Sequence, residues 1–343
     1  MKNGDLPFLA SFRCNGVTGG AAMRGFPLEL YGIRRMLRRM DEHSTDYREL
    51  PEQERAMTYG WLGERRVDQF VARSGIHSKR VIHGLTLRHP SFGTVQLDTV
   101  IVTNSKVLLL EVKNIHGTLE LECAPARLKR TSPDGVIQYF GCPYAQLSNA
   151  STVLSRLLDS QHIPLPVEGA LILSAKNAEP KFPIDHQAYF PNELPGLIHR
   201  VNSNPMLVND NEAFSIADFL RRQHAPFNPY PLASSRMLPD LYRGSLCRFC
   251  DGSLRNGPTR KTECRKCGTS QWIPYAENLI DFFLIWGHSL TSRQCEAYLG
   301  VKNTKAKTLL RSGPFTRHHS SHRTTYTLDH SAVRINSEGQ LIL

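Results

Sequence analysis

The sequence predicts a mixed α/β core followed by two small C-terminal units, one built on cysteines and one on paired helices. Three features lead there. Apolar runs of strand length alternate with helical patterns over residues 51–174 in the order α, β, β, β, α, β. Two CxxC pairs follow, Cys247-Arg-Phe-Cys250 and Cys264-Arg-Lys-Cys267. Beyond them, two short helical patterns meet at Gly300-Val301 and lead into a hairpin-like stretch.

Residues 31–43, YGIRRMLRRMDEH, form an Arg-rich helix open to two uses: packing within the chain, or contact with a second copy or a protein partner. A helical pattern spans residues 51–73 and carries Gly60-Trp61-Leu62-Gly63-Glu64. A strand is expected near residues 79–87. The stretch 95–114, VQLDTVIVTNSKVLLLEVKN, reads as a β-hairpin, because two apolar runs flank the polar turn Thr103-Asn104-Ser105-Lys106.

That hairpin buries charge, which is costly unless the charges are compensated. With a two-residue loop at Asn104-Ser105, cross-strand partners have numbers summing to 209, so Asp98 faces Glu111 and Gln96 faces Lys113. All four then project from one face of the sheet. Two adjacent carboxylates call for a cation between them, and Mg²⁺ or Mn²⁺ takes such oxygens. Lys113 would reach a metal-bound water or a phosphate. The same residues also allow a plainer reading, a solvated Glu-Lys couple at a strand end with a core Asp bonded to backbone.

Residues 117–142 read as loop. A helix over 144–159 presents Leu147, Val153, Leu154, Leu157 and Leu158, and residues 167–174 read as another buried strand. Residues 175–240 are rich in Pro, Asn and His and are expected to be irregular, with one helix near 215–223. No internal repeat or long low-complexity segment interrupts the chain.

At 343 residues the chain is long enough for two or three domains. Its net charge is +11, and residues 241–343 hold 15 basic and 7 acidic residues, so most of the surplus lies at the C-terminal end. A basic terminal region points to a polyanion. Nucleic acid is the expected partner, and a membrane is not, since no apolar run approaches the roughly 18 residues needed to span a bilayer. The N-terminal LPFLASF is short and lacks a small-residue cleavage site, so it is not read as a signal peptide, and a cytoplasmic location is expected.

Cysteine usage agrees with that compartment. Cys14, Cys123, Cys142 and Cys295 are scattered singly, unlike a disulfide framework. The thirteen residues between the two CxxC pairs let Cys247, Cys250, Cys264 and Cys267 close a tetrahedron around a structural Zn²⁺. The alternative is two unrelated pairs or a redox dithiol. Arg248, Arg255, Arg260, Lys261, Arg265 and Lys266 surround the ligands, either to grip phosphates or as a solvated rim.

In the last segment, AENLIDFFLIWGHS suggests a helix ending at Gly287. Thr291, three residues before Gln294, then opens a second helix with a capping box. A further helix carries Lys302, Lys305, Lys307 and Arg311, and FTRHHSSHRTTYTL, with Arg317 and Arg323, folds as a hairpin. The pattern resembles a winged helix-turn-helix, in which the second helix enters a major groove and the wing meets backbone. The alternative is a small helical protein-interaction domain. His318, His319 and His322 are expected near phosphates rather than on a metal.

The series Gly60-x-x-Gly63-Glu64, Gln96-x-Asp98, Glu111-x-Lys113-Asn114 with Gly117, and Pro143-x-x-Gln146 resembles the nuclease-related domain, NERD, of the PD-(D/E)xK nuclease superfamily. The chain departs from that pattern with Cys142 before Pro143, where relatives often have Asn, and with no Trp between Gly117 and Pro143. The resemblance implies a restriction-endonuclease-like core that cleaves phosphodiesters with a divalent metal. Asp98 and Glu111 would be metal ligands, Lys113 the catalytic lysine, Glu64 an accessory acid, and Gln96 and Gln146 polar members of the site. The expected organisation is a basic helical segment over 1–50, the NERD domain over 51–185 and a connector over 186–240. A zinc ribbon follows over 241–273 and a winged-helix-like domain over 274–343. A metal-dependent nuclease acting on DNA is the leading functional expectation. An inactive DNA-binding module or regulator is the alternative, and a structural or signalling protein the third class.

Overall fold

The computed structural model describes residues 23–226, 228–254, 261–321 and 323–342. Cys14, Arg255, Arg260, His322 and the LPFLASF stretch lie outside the described residues. In chain order, α1 (Leu28–Leu37) and α2 (Leu50–Ala72) precede β1 (Val81–His89), β2 (Gly93–Val102) and β3 (Val107–Lys113). Next come β4 (Gly117–Cys123), β5 (Ala126–Thr131), β6 (Ile137–Gly141), α3 (Pro143–Ser160) and β7 (Val167–Leu173). Then follow β8 (Ala178–Lys181), β9 (Ala188–Tyr189), α4 (Leu194–Asn202) and α5 (Asp210–Arg222). The remainder holds β10 (Lys261–Glu263), β11 (Ser270–Trp272), α6 (Tyr275–Ile285), α7 (Ser292–Leu299), α8 (Asn303–Ser312), β12 (Phe315–His319), β13 (Thr324–Leu328), β14 (Arg334–Ile335) and β15 (Leu341–Ile342). These form two compact units, one of residues 23–25 and 57–226, the other of residues 26–56 and 228–342.

The first unit is a mixed α/β layer structure. Its main sheet has the order β1-β2-β3-β7-β9, with β1, β2 and β3 antiparallel and β7 and β9 parallel to β3. Alternate strand residues feed opposite faces. Val100, Val102, Val107 and Leu109 pack with Leu147, Val153 and Leu154 of α3 and Ile216 and Leu220 of α5. Ile101, Leu108, Leu110 and Ile172 pack with Val67 and Val71 of α2 and Leu197, Ile198 and Val201 of α4. Burial on both faces explains why β3 is a near-continuous apolar run.

Residues 117–142, expected to be loop, instead supply three strands of a second sheet with the order β6-β5-β4-β8. The physical reason is a period-two pattern. Leu119 and Leu128 point inward and are fully buried, while Glu120 pairs across the strands with Lys129 at 2.8 Å and Glu122 with Arg127 at 2.5 Å. Residues 175–240 are also more regular than expected. There α4 buries Leu194, Leu197, Ile198 and Val201, one helical stripe, and Pro195 and Gly196 are confined to its first turn.

In the second unit α1 is a packing helix. It buries Leu30, Tyr31, Ile33 and Met36, and its Arg35, together with Arg39 just beyond its end, meets Asp281 of α6. Arg35 Nη2 lies 2.6 Å and Arg39 Nη2 2.5 Å from Asp281 Oδ2, and Arg39 also donates to the Gly244 carbonyl at 2.9 Å. Burial would push the Asp281 carboxyl up; the two guanidiniums outweigh it and hold it below the usual carboxylate range. Helices α7 and α8, joined by a short turn, and a following hairpin occupy the segment. Thr291 caps α7 in a box with Gln294, Gly300 closes it, and β12 pairs antiparallel with β13.

Asp281→Ala would strand two buried guanidiniums. The expected cost is about 3–5 kcal/mol, read from urea unfolding of the second unit's signal. A loss below about 1 kcal/mol would mean that solvent, not Asp281, carries those charges.

Candidate active site

The register of β2 on β3 is the expected one. Thr99 pairs with Leu110, Val100 with Leu109, Ile101 with Leu108 and Val102 with Val107, each pair summing to 209. The turn is closed by Thr103, whose hydroxyl accepts from the Ser105 and Lys106 N–H groups at 3.3 and 3.0 Å. One step beyond the last ladder pair, Asp98 Oδ2 accepts from the Val112 N–H at 2.8 Å, so the carboxylate takes over a position the backbone would otherwise fill. Asp98 and Glu111 are both buried, and Lys113 Nζ donates to Glu111 Oε1 at 2.6 Å. Burial, and then the Asp98 charge, push the Glu111 carboxyl up to about 7, although Lys113 pulls the other way. Burial alone would lower Lys113, but Glu111 and Asp98 raise it, so the amine stays charged.

Gln96 departs from the expected face. Gly84, directly across β1 from Asp98, has φ +64°, which interrupts the regular pleat. Val95 and Leu97 consequently pack with the same cluster as Val100 and Val102, so side-chain parity shifts between Leu97 and Val100. Gln96 therefore alternates out of that face and pairs with Thr86 of β1, while the β2–β3 ladder ends before reaching it.

Glu64 is already engaged within the protein. It forms a buried ion pair with Arg24, whose guanidinium also grips Asp68 at 2.9 Å and the Thr99 hydroxyl at 2.8 Å. The Asp98 charge acts on Glu111, while Glu64 is paired with Arg24. Among the described residues, the only group of three or more potential metal-ligating His, Cys, Asp or Glu side chains is the cysteine cluster. Sequence reasoning missed Asp68; its spacing of four from Glu64 on α2 was the available signal for a shared cation. Gln146, in the first turns of α3, keeps its Oε1 buried with no hydrogen-bond partner. Helix α2 reaches the ends of β3 and β7 because Gly63 has no side chain: a Cβ there would lie 2.5 Å from both Asn114 Cβ and Ser174 Oγ.

Two buried carboxylate groups beside a lysine make a donor set suited to a hard divalent cation, and a proton on Glu111 would be displaced by it. The four cysteines suit a softer ion. Their sulfurs lie within 4.8 Å of one another, with Cys247–Cys267 at 3.8 Å and Cys250–Cys264 at 3.4 Å. A tetrahedron with Zn–S of about 2.3 Å has edges of about 3.8 Å. Gln271 Nε2 donates to Cys247 Sγ at 2.8 Å, and the Phe249 and Lys266 N–H groups donate to Cys247 and Cys264, an arrangement that favours thiolates.

Residues 59–174 match the family model described as the nuclease-related domain, NERD. The span encloses Glu64, Gln96, Asp98, Glu111, Lys113 and Gln146, so this part of the chain is a nuclease-related domain. No curated protein and no solved structure matches the chain. Among the described residues, no helix is long and apolar enough to cross a membrane.

Two outcomes are expected. In metal-free protein the folded Glu111 keeps its proton between the ordinary 4.5 and about 7, whereas the unfolded chain releases it. Stability should therefore fall as pH rises through that window, by on the order of 3 kcal/mol. Glu111→Gln should flatten the decline in urea melts; an unchanged slope would refute the shift. Freshly purified, reduced protein should carry one zinc per chain by elemental analysis, and Cys264→Ser should lose it. Protein free of zinc would exclude the site.

Proposed function

We propose that the chain is a nuclease that hydrolyses phosphodiester bonds, with DNA as the expected substrate, and that Asp98, Glu111 and Lys113 form its centre. The observation that carries this reading is the burial of two carboxylates against one lysine at the carboxyl end of β3, inside the NERD match. Asp98, fixed by the Val112 N–H, and Glu111, with its weakly acidic carboxyl, would together hold Mg²⁺ or Mn²⁺. A bound divalent ion supplies charge neutralisation at the phosphate. Lys113 stays protonated beside Glu111 and can donate to a phosphate oxygen or orient a water for attack. Gln146 offers a buried acceptor to such a water. Glu64 and Gln96 take supporting places, Glu64 by anchoring Arg24 under β2 and Gln96 within the β1–β2 ladder.

Binding is assigned to the second unit, read as a zinc ribbon and a winged helix. Lys302, Lys307 and Arg311 of the α8 segment and Arg317 and Arg323 of the hairpin are exposed, and a row of this kind suits backbone phosphates. Lys305 is half-buried, with its ammonium 4.9 Å from the Tyr275 ring centre. One observation favours a second reading, an inactive nucleic-acid-binding module: Glu111 is already paired with Lys113, and among the described residues no third metal-ligating acid groups with the two carboxylates.

Plasmid DNA, linear single strands and RNA incubated with Mg²⁺, Mn²⁺ or EDTA separate the two. Metal-dependent cutting is expected, with losses of at least about 100-fold in Asp98→Ala and Lys113→Ala but affinity kept within a few-fold. Replacing Lys302, Lys305, Lys307 and Arg311 together should weaken binding and flatten its salt slope by up to about one unit per lost phosphate contact. Cutting by Asp98→Ala at the parent rate would place the chemistry elsewhere, and no cutting under any condition would favour the binding module.

A further inference from the structure

The carboxyl ends of the parallel strands β3, β7 and β9 lie together, and open α/β sheets bind ligands outside such ends. Lys113 and Asn114 mark the end of β3, Ser174 to Lys176 follow β7, and Phe190 to Asn192 follow β9. A cavity of about 190 Å³ opens at this edge, lined by Arg66, Phe70, Ser174, Lys176, Phe190 and Asn192 among others. Arg66 and Phe70 come from α2, one and two turns beyond Gly63, on the stripe that the missing side chain at Gly63 lets approach β7. The Ser174 N–H donates to the Lys113 carbonyl at 2.9 Å, so cavity and proposed centre share the carboxyl edge of the sheet, but Ser174 faces α2 whereas Glu111 and Lys113 alternate to the α3 face.

Its chemistry is unlike that of a small apolar hole. None of its eight lining residues is acidic, two are cationic, two are phenylalanines, and Ser174 and Asn192 add polar groups. Aromatic rings beside cations are the combination that holds an unpaired base and its phosphate. At about 190 Å³ the cavity has room for a small planar group. The Arg73 guanidinium lies 5.3 Å from the Phe70 ring centre, and Phe190 is half-buried, packed against the core.

We infer that this cavity is a nucleotide subsite that takes one unpaired nucleotide, with its base against Phe190 and its phosphate on Arg66 and Lys176. Resting on the nuclease reading, it assigns single-stranded segments or frayed strand ends as the substrate class. A strand seated there reaches Lys113 only by crossing the carboxyl edge of β3, because Lys113 lies on the other face of the sheet.

The test uses the full chain in EDTA, so that no metal contributes. Thymidine 5′-monophosphate, thymidine and inorganic phosphate are titrated separately by NMR. The monophosphate should bind at least tenfold tighter than either part, with shifts at Ser174 and Phe190. Arg66→Gln with Lys176→Gln should weaken it at least tenfold, Phe190→Leu should weaken it with the fold intact by circular dichroism, and Arg66→Lys should restore part of the loss. Equal binding of phosphate and nucleotide would make the cavity an anion site and overturn the proposal, as would unchanged binding in the variants. A second arm measures cleavage of a single-stranded oligonucleotide with Mg²⁺, where the double variant should raise KM with kcat largely kept. Nucleotide binding that behaves as expected, without cleavage by the parent in any metal, leaves the subsite standing and removes the nuclease reading. Cleavage by the parent without nucleotide binding does the reverse.

Discussion

The candidate site depends on the two-residue turn at Asn104-Ser105, which fixes the register of β2 on β3. A slip of one residue would exchange the two faces of each strand, sending Glu111 toward α2 and Leu110 toward α3. The Thr103 hydroxyl, bonded within the turn to Ser105 and Lys106, resists that slip from one end. The Val112 N–H, bonded to Asp98, resists it from the other. Burying a carboxylate is costly unless it is paired or hydrogen-bonded. Here Asp98 is satisfied by backbone, while Glu111 depends on one lysine and remains weakly acidic. That residual frustration is what a cation would relieve.

Topology then decides what else can gather around the pair. Because β7 and β9 run parallel to β3, their outgoing loops share one edge, and Gly63 lets α2 close over it. The structural charges are handled differently. Arg24 with Glu64 and Asp68, and Arg35 and Arg39 with Asp281, are buried clusters in which opposite charges pair within the protein. The contrast separates these fully paired clusters from Glu111, whose carboxyl stays weakly acidic beside Asp98.

Much of this was legible in the residues. The hairpin register, the four-cysteine spacing, and the helix-turn-helix with its Thr291–Gln294 box follow from local rules that act over a few residues. The misreadings share a different cause. Gln96 left the expected face because Gly84, on another strand, takes a positive φ that shifts parity at Asp98. Glu64 was drawn into an ion pair by Arg24, forty residues earlier, which no local pattern announces. The strands of residues 117–142 were obscured by the density of charge between Glu120 and Arg130, although the alternation of Leu119 and Leu121 with glutamates was present. Helix α4 was hidden by Pro195 and Gly196, breakers that are tolerated in a first turn.

The central claim is that Asp98 and Glu111 share one divalent cation. Crystals grown with Mn²⁺ and measured at its absorption edge test this most directly. One anomalous peak is expected between the two carboxylates, within about 2.3 Å of an oxygen from each, and it should disappear in Asp98→Asn. A clear map with both carboxylates ordered, Lys113 still on Glu111 and no peak between them would contradict it.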